Sequence, residues 1–278
     1  MVSIYGFLSS LKDRFSWIKY IEGLSGKIDV FVSDVFYSIP KTIRNKSSVL
    51  NSIVTNVADR LMRNKIANVD STRYVLIDLE SLRIISPEYE CWMWKYLKLK
   101  TGEVFLDIGA HVGKYSFMAS KIVGRKGLVI AVEPHPLNFY CLIKGIQLNN
   151  LKNIIPLNIA AWDRNQKIKL FIGEASGRHS LIKNCNMGYI DVEGRRLDDV
   201  LKNLNINRID WIKIDAEGVE IKVIKGLKET IRKWRPRIIV ESWRENSPKF
   251  LKYMKTLGYV CKSFDENQTY YYCTEGKK

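Results

Sequence analysis

One stretch restricts the fold more than any other: Glu103-Val104-Phe105-Leu106-Asp107-Ile108-Gly109-Ala110-His111-Val112-Gly113. A short apolar run ends on a carboxylate, enters a glycine loop and passes at once into a helical pattern. From residue 103 onward strand and helix patterns keep alternating, which marks a parallel sheet. Strands are predicted near 103–107, 128–133, 154–158, 210–215 and 237–241, and helices near 113–123, 136–149, 219–233 and 247–257. An insertion at about 167–194 carries short strand-like runs. The tail, 259–264 and 270–273, reads as two strands joined by a polar turn. The expected class is α/β, with one open, Rossmann-like sheet.

The loop also says something about a ligand. Backbone approaches a ligand closely where side chains are absent, so Gly109 and Gly113 read as a cradle, with Ala110 and His111 between them. It is not the dinucleotide cradle, which needs G-x-G-x-x-G spacing and a helix N-terminus free for pyrophosphate. Here the spacing is G-x-x-x-G, and Asp107 stands two residues ahead of it. A carboxylate there repels a pyrophosphate and suits a ligand bearing an ammonium and a sulfonium; S-adenosylmethionine bears both. The second strand, Leu128-Val129-Ile130-Ala131-Val132, ends in Glu133-Pro134, the place from which an acid meets ribose hydroxyls. A carboxylate accepts two hydrogen bonds side by side, so Glu133 can take both hydroxyls. The bland alternative is an acid at a strand end on the surface.

At 278 residues the chain can hold one sizeable core plus an extension. Five cysteines without a C-x-x-C pair, and no recognisable signal peptide, point to reduced, intracellular thiols and a cytoplasmic protein. No apolar run approaches the length of a spanning helix. The net charge of +16 favours acidic partners, among them nucleic acid, anionic lipid or phosphorylated carriers. Acids are interspersed with the lysines almost throughout, which fits a solvated surface equally well.

Residues 1–70 form a helical extension and 71–278 the main domain in this reading. Ile4, Phe7, Leu8, Leu11, Phe15 and Ile18 recur at helical spacing among Lys12, Arg14 and Lys19, and Val49, Ile53, Val54, Val57 and Leu61 repeat the pattern. Packing on the chain's own core is the commoner use of such stretches; a dimer surface and peripheral contact with a membrane are the others. Residues 73–86 read as one or two strands, including Leu82-Arg83-Ile84-Ile85, and Pro87 opens a helix to Leu97. Trp92 and Trp94 are expected in the core, with a place in a substrate wall as the minority use.

A second acidic cluster, Asp210-Trp211-Ile212-Lys213-Ile214-Asp215-Ala216-Glu217-Gly218, ends another apolar strand. If that strand neighbours 103–107, Asp215 faces the same crevice as Asp107. Period two puts Lys213, Asp215 and Glu217 on one side while the chain stays extended. Glu220 opens the next helix, where an acid complements the dipole. Glu241, ending Arg237-Ile238-Ile239-Val240, lines an acceptor pocket or pairs with a lysine. The near copy Ile190-Asp191-Val192-Glu193-Gly194 reads as an edge strand entering a helix. Three histidines are too few for a metal cluster without acids, so no metal is expected; His179, in the insertion, is within reach of an acceptor.

Taken together, residues 104–113, Val132-Glu133-Pro134, Leu197-Asp198-Asp199 and Lys213-Ile214-Asp215-Ala216-Glu217-Gly218-Val219-Glu220 resemble the FkbM family of methyltransferases over roughly residues 80–265. Pro236 and Glu241 fit the same pattern. His111 stands where the family commonly has asparagine. The resemblance implies a class I sheet of seven strands, S-adenosylmethionine as cofactor, and O-methylation of hydroxyls on sugars, glycolipids or related natural products. Asp215 is then the base or its orienter, with Lys213 holding it ionised and Glu217 and Glu241 placing the acceptor. Two rivals stand beside this reading: ribose 2'-O methylation of RNA, and a non-catalytic binding protein on the same fold. The oligomeric state is left open.

Overall fold

The computed structural model describes residues 16–37, 48–182 and 187–276. The first predicted amphipathic stretch, from Ile4 to Phe15, lies outside them. Helices α1 (Leu24–Tyr37) and α2 (Ser48–Met62) pair with each other. The buried seam of α2 is Val54, Ala58 and Met62, one position on from Ile53 and Val57, which stay exposed. Ser33 Oγ of α1 donates to the Ala58 carbonyl across this seam. Met62 and Val30 join the core under the central sheet, so this part of the extension packs on the chain itself. A hairpin of β1 (Ile66–Val69) and β2 (Thr72–Val75) leads into the main body.

Residues 79–85, read from the sequence as strand, form helix α3 (Leu79–Ile85). The reason is Asp78. Its carboxylate accepts the Ser81 amide while Ser81 Oγ accepts the Asp78 amide, a reciprocal cap that outweighs the β-branched run behind it. Leu82 and Ile85 then fall on one buried face. Pro87 opens a turn rather than a full helix, and only Cys91–Lys95 make a short 3-10 helix. Trp92 packs edge-on to Phe264 and Tyr270, and Trp94 lies against Tyr115, so both serve packing.

The central sheet has seven strands in the order β5 (Ile154–Leu157), β4 (Leu128–Val132), β3 (Val104–Ile108), β9 (Trp211–Ile214), β10 (Arg237–Glu241), β12 (Tyr270–Glu275), β11 (Tyr259–Ser263). The five from β5 to β10 are parallel; β12 runs antiparallel between β10 and β11. The sheet is open, α/β and Rossmann-like, has the seven strands expected from the sequence, and follows a helical region. Helix α4 (Lys114–Val123) follows β3 and α5 (Pro136–Leu148) follows β4. Strand order reverses between β3 and β9, which opens a crevice at their carboxyl ends.

The insertion builds its own small sheet, β6 (Ala160–Trp162), β8 (Tyr189–Arg196) and β7 (Gln166–Phe171). β8 is its central strand, not the edge strand expected of Ile190–Gly194, because β7 and β6 pair with its two sides. It does enter a helix, α6 (Leu197–Asn203). The predicted helix 219–233 is two, α7 (Glu220–Gly226) and α8 (Lys228–Trp234), broken where Leu227 leaves helical torsion at φ −113°. Asp198 of the Leu-Asp-Asp run accepts the amides of Glu229 and Thr230, capping α8, so that motif is structural. Helix α9 (Ser247–Thr256) precedes the final hairpin.

The cysteine expectation is corrected. Cys261 and Cys273 form a disulfide, because they are register partners on β11 and β12 with Cα atoms 4.0 Å apart. A cross-strand pair leaves no short C-x-x-C spacing to read. Among the described residues, no helix is long and apolar enough to cross a membrane.

Candidate active site

The loop after β3 owes its shape to one close approach. Gly109 has φ +79°, and a Cβ there would stand 2.0 Å from the Asp215 carbonyl oxygen. Only glycine lets the β3 loop pass the end of β9 at this distance. Gly113 serves differently: a Cβ would meet Phe117 at 2.5 Å and Leu142 at 2.9 Å, so it is a packing position between α4 and α5. His111 is left-handed at φ 52°, a conformation that asparagine and histidine both tolerate. Its substitution for asparagine therefore keeps the loop geometry.

Asp107 and Lys213 are register partners on adjacent strands and point to the same face. Asp107 is fully buried beneath the loop, where Ser116 Oγ donates to its Oδ2 at 2.6 Å. Its Oδ1 has no hydrogen-bond partner and lies 3.9 Å from Lys213 Nζ. Burial raises the Asp107 pKa, opposed by Lys213 and Ser116. Lys213 Nζ stands closer to Asp215, 3.3 Å from Oδ2. Burial disfavours the ammonium, but Asp215 and then Asp107 outweigh it, and its pKa rises above the ordinary lysine value. Asp107 favours the ammonium when ionised, yet burial holds its own carboxyl toward neutrality. The shorter contact decides, and Asp215 is the main partner.

At the end of β4, both oxygens of Glu133 take backbone donors: Oε2 from the His111 amide and Oε1 from His135, each at 2.9 Å. Asn138 Nδ2 adds a third contact at 3.2 Å. Burial pushes the Glu133 carboxyl up to about 7, against the pull of these donors. Asn138 Oδ1 is buried beside it with no partner. The insertion covers this end. Ser176 links His111 Nε2 at 2.9 Å to Asp78, whose two oxygens accept Ser176 N and Oγ. His179 stacks on His135 with ring centroids 4.0 Å apart, which places it at the Glu133 end of the cleft.

The opposite end is acidic and phenolic. Asp215, Glu217, Glu241 and Glu90 line it with Tyr89 and Tyr115. The chain stops being extended after Asp215, since Glu217 has φ 50°, so period two ends before it. Glu217 reaches the cleft through this turn instead. Glu220 opens α7 as expected and accepts the Gly218 amide. Among the described residues Glu241 pairs with no lysine: Tyr270, its register partner on β12, approaches its Oε2 at 2.9 Å.

One open cleft joins these ends. Gly109, Ala110, His111, Glu133, Pro134, Lys213, Asp215, Glu217 and Glu241 line it; Asp107 and Gly113 lie behind the wall. Sequence reasoning missed Asp78, Glu90, Lys114, Asn138 and Tyr270. Lys114 is buried with Nζ donating to the Ser86 and Tyr89 carbonyls, which holds the turn carrying Glu90. Burial lowers its pKa to about 8. None of these belongs to a motif, and Asp78 was hidden in a presumed strand.

Residues 107–261 match the model of the methyltransferase FkbM domain. The chain belongs to the FkbM methyltransferase family. It is 24% identical over 203 residues to methyltransferase sdnD of Sordaria araneosa, covering 61% of this chain and 78% of that protein. An FkbM methyltransferase structure from Methylobacillus flagellatus aligns at 16% identity and a TM-score of 0.49, covering 64% of this chain and 45% of that one. The chain thus spans less than half the length of that FkbM protein. Fibrillarin from Aeropyrum pernix, solved with natively bound S-adenosyl-L-methionine, aligns at 13% identity and a TM-score of 0.45, over 76% of this chain and 82% of that one. The cofactor of this FkbM domain is S-adenosylmethionine, and the residues present fit it. An acid follows β4, a glycine loop borders the cleft, and a buried amide oxygen on Asn138 lacks a partner.

Proposed function

We propose that this chain is an O-methyltransferase acting on a hydroxyl of a sugar, glycolipid or natural-product acceptor, with Asp215 as the base or the group that orients the acceptor. The observation that carries this reading is the placement of Asp215. It stands at the switch point of the sheet, 3.3 Å from a buried ammonium and in the same cleft as Glu133. Gly109, Ala110, His111, Glu133 and Asn138 would hold the cofactor, with Asp107 acting through Lys213 and Ser116. The bound cofactor supplies a methyl group on a positively charged sulfur, so departure of the sulfur needs no acid.

What remains for the protein is alignment and removal of one proton. Proximity supplies much of such a rate. As the acceptor oxygen gains the methyl group, its proton passes to the Asp215 carboxylate, which Lys213 orients from behind. Glu217 and Glu241 place the acceptor from the side walls. A wall of carboxylates and phenols suits a neutral, hydroxyl-bearing acceptor, because such an acceptor donates hydrogen bonds to it.

The test is Asp215→Asn. Methyl transfer to sugar or natural-product hydroxyls should fall by about 100-fold or more, the usual weight of a positioned base, while calorimetric affinity for S-adenosylmethionine stays near that of the wild type. Transfer that survives places the base elsewhere. The net charge of +16 keeps ribose methylation of RNA as the second reading. The acidic transfer end opposes it by repelling phosphates. Steep loss of RNA binding with added salt would favour it.

A further inference from the structure

Tyr270 offers one proton to two acids. Its Oη lies 2.6 Å from Glu90 Oε1 and 2.9 Å from Glu241 Oε2. A phenol carries a single O–H, so it donates along one of these contacts, and at the other the carboxyl must be the donor. The distances show which is which. Hydrogen bonds from a hydroxyl to an ionised oxygen run to about 2.5–2.7 Å, and neutral ones are longer. Glu90 receives two short bonds, from Tyr270 on one oxygen and from Tyr115 Oη at 2.5 Å on the other. It also lies close enough to Lys114 and Lys213 for its charge to favour both ammonium groups. Glu90 is the anion of the pair.

Glu241 has the opposite surroundings. Asp215 and Glu217 face it from the turn after β9, Glu90 and Tyr89 from the segment before the 3-10 helix, and Tyr270 from β12. Burial first, then Asp215, push its carboxyl up to about 9, with Glu90 and Glu217 adding to them, even against the lowering that a Tyr270 hydroxyl donating to it would bring. The contact with Tyr270 is built by strand register, not by a surface rotamer.

We propose that Glu241 carries the shared proton and donates it to the Tyr270 oxygen, so that a directed chain runs from Glu241 through Tyr270, behind the cleft wall, to Glu90. Glu241 is then a positioning residue with a neutral head. Resting on the function proposed above, this leaves proton removal to Asp215 and takes one negative charge off the wall.

The experiment is infrared difference spectroscopy of the full chain, without donor or acceptor, comparing wild type with Glu241→Gln and with Tyr270→Phe across pH. A protonated-carboxyl stretch is expected at neutral pH, absent from Glu241→Gln and titrating out only on the alkaline side. Tyr270→Phe should move that titration to lower pH, because a phenol that accepts from Glu241 stabilises the neutral form. A phenol that donates to it would do the reverse. Absence of a Glu241-dependent band at neutral pH, or a titration raised by Tyr270→Phe, overturns the proposal. No methyl transfer enters the measurement, so failure of Asp215 as the base leaves this result untouched, and the converse holds too.

Discussion

Replacing Lys213 with methionine separates the electrostatic account of the site from a purely steric one. Methionine keeps most of the side-chain volume and removes the charge between Asp107 and Asp215. At an effective dielectric near 20, a unit pair 3.9 Å apart is worth roughly 4 kcal/mol. Asp107 is 1% exposed, so solvent does not screen the pair when the carboxyl is ionised, whereas Asp215, with 32% of its side chain exposed, is screened and contributes less. Leaving Asp107 buried and unpaired should destabilise the fold by about 3–5 kcal/mol at neutral pH.

The pH dependence follows from the sign of the Asp107 shift. Its folded pKa is already raised by burial and rises further without Lys213. A carboxyl raised in the folded state costs nothing below its unfolded pKa, near 4, and the cost then grows by about 1.4 kcal/mol per pH unit until the folded pKa is passed. The stability gap between wild type and Lys213→Met should therefore widen as pH rises above the wild-type folded pKa of Asp107, because the variant keeps the cost of a buried carboxylate that Lys213 no longer offsets. Urea unfolding followed by tryptophan fluorescence reads this directly. A gap that stays constant with pH, or one below about 1 kcal/mol, refutes the buried-charge argument.

Three further outcomes are expected. Glu133 titrates near 7, and a ribose hydroxyl prefers the carboxylate, so affinity for S-adenosylmethionine should strengthen as pH rises from 6 to 8. Glu133→Gln should weaken calorimetric binding by about 10- to 100-fold and flatten that dependence, since hydrogen bonds to a charged group are worth about 1.5–3 kcal/mol. Gly109→Ala forces a Cβ to within 2.0 Å of the Asp215 carbonyl in a left-handed conformation. It should lower stability by at least about 1–3 kcal/mol, and a urea midpoint like that of the wild type would show the loop to be pliable. Reducing the Cys261–Cys273 bridge, 12 residues apart in sequence, should cost up to roughly 3 kcal/mol in thermal or urea unfolding. Cys261→Ser should match the reduced wild type.

Much of this protein is written locally in its chain. The parallel strands, the helices between them and the closing hairpin follow from apolar runs and their punctuation, because each βα unit is specified within about 30 residues. Asp107, Gly109, Glu133, Lys213 and Asp215 were legible for the same reason: each sits at the end of a strand in a recognisable run. Where local signals competed, the reading failed. The stretch 79–85 looked like strand until Asp78 and Ser81 capped it as a helix, and Cys261 met Cys273 through strand register rather than sequence spacing.

Only the tertiary structure decided which of these residues face the cleft. Register between β3 and β9 turns Asp107 toward Lys213 and away from the ligand space. The acidic end of the cleft brings together Glu90, Asp215 and Glu241, with Tyr270 bonded behind them, spread over 181 positions of the chain. No periodicity spans such separations. A side chain's partner across a sheet is set by strand order and register, which depend on the whole core, so the proton count at Tyr270 becomes visible only once those strands lie side by side.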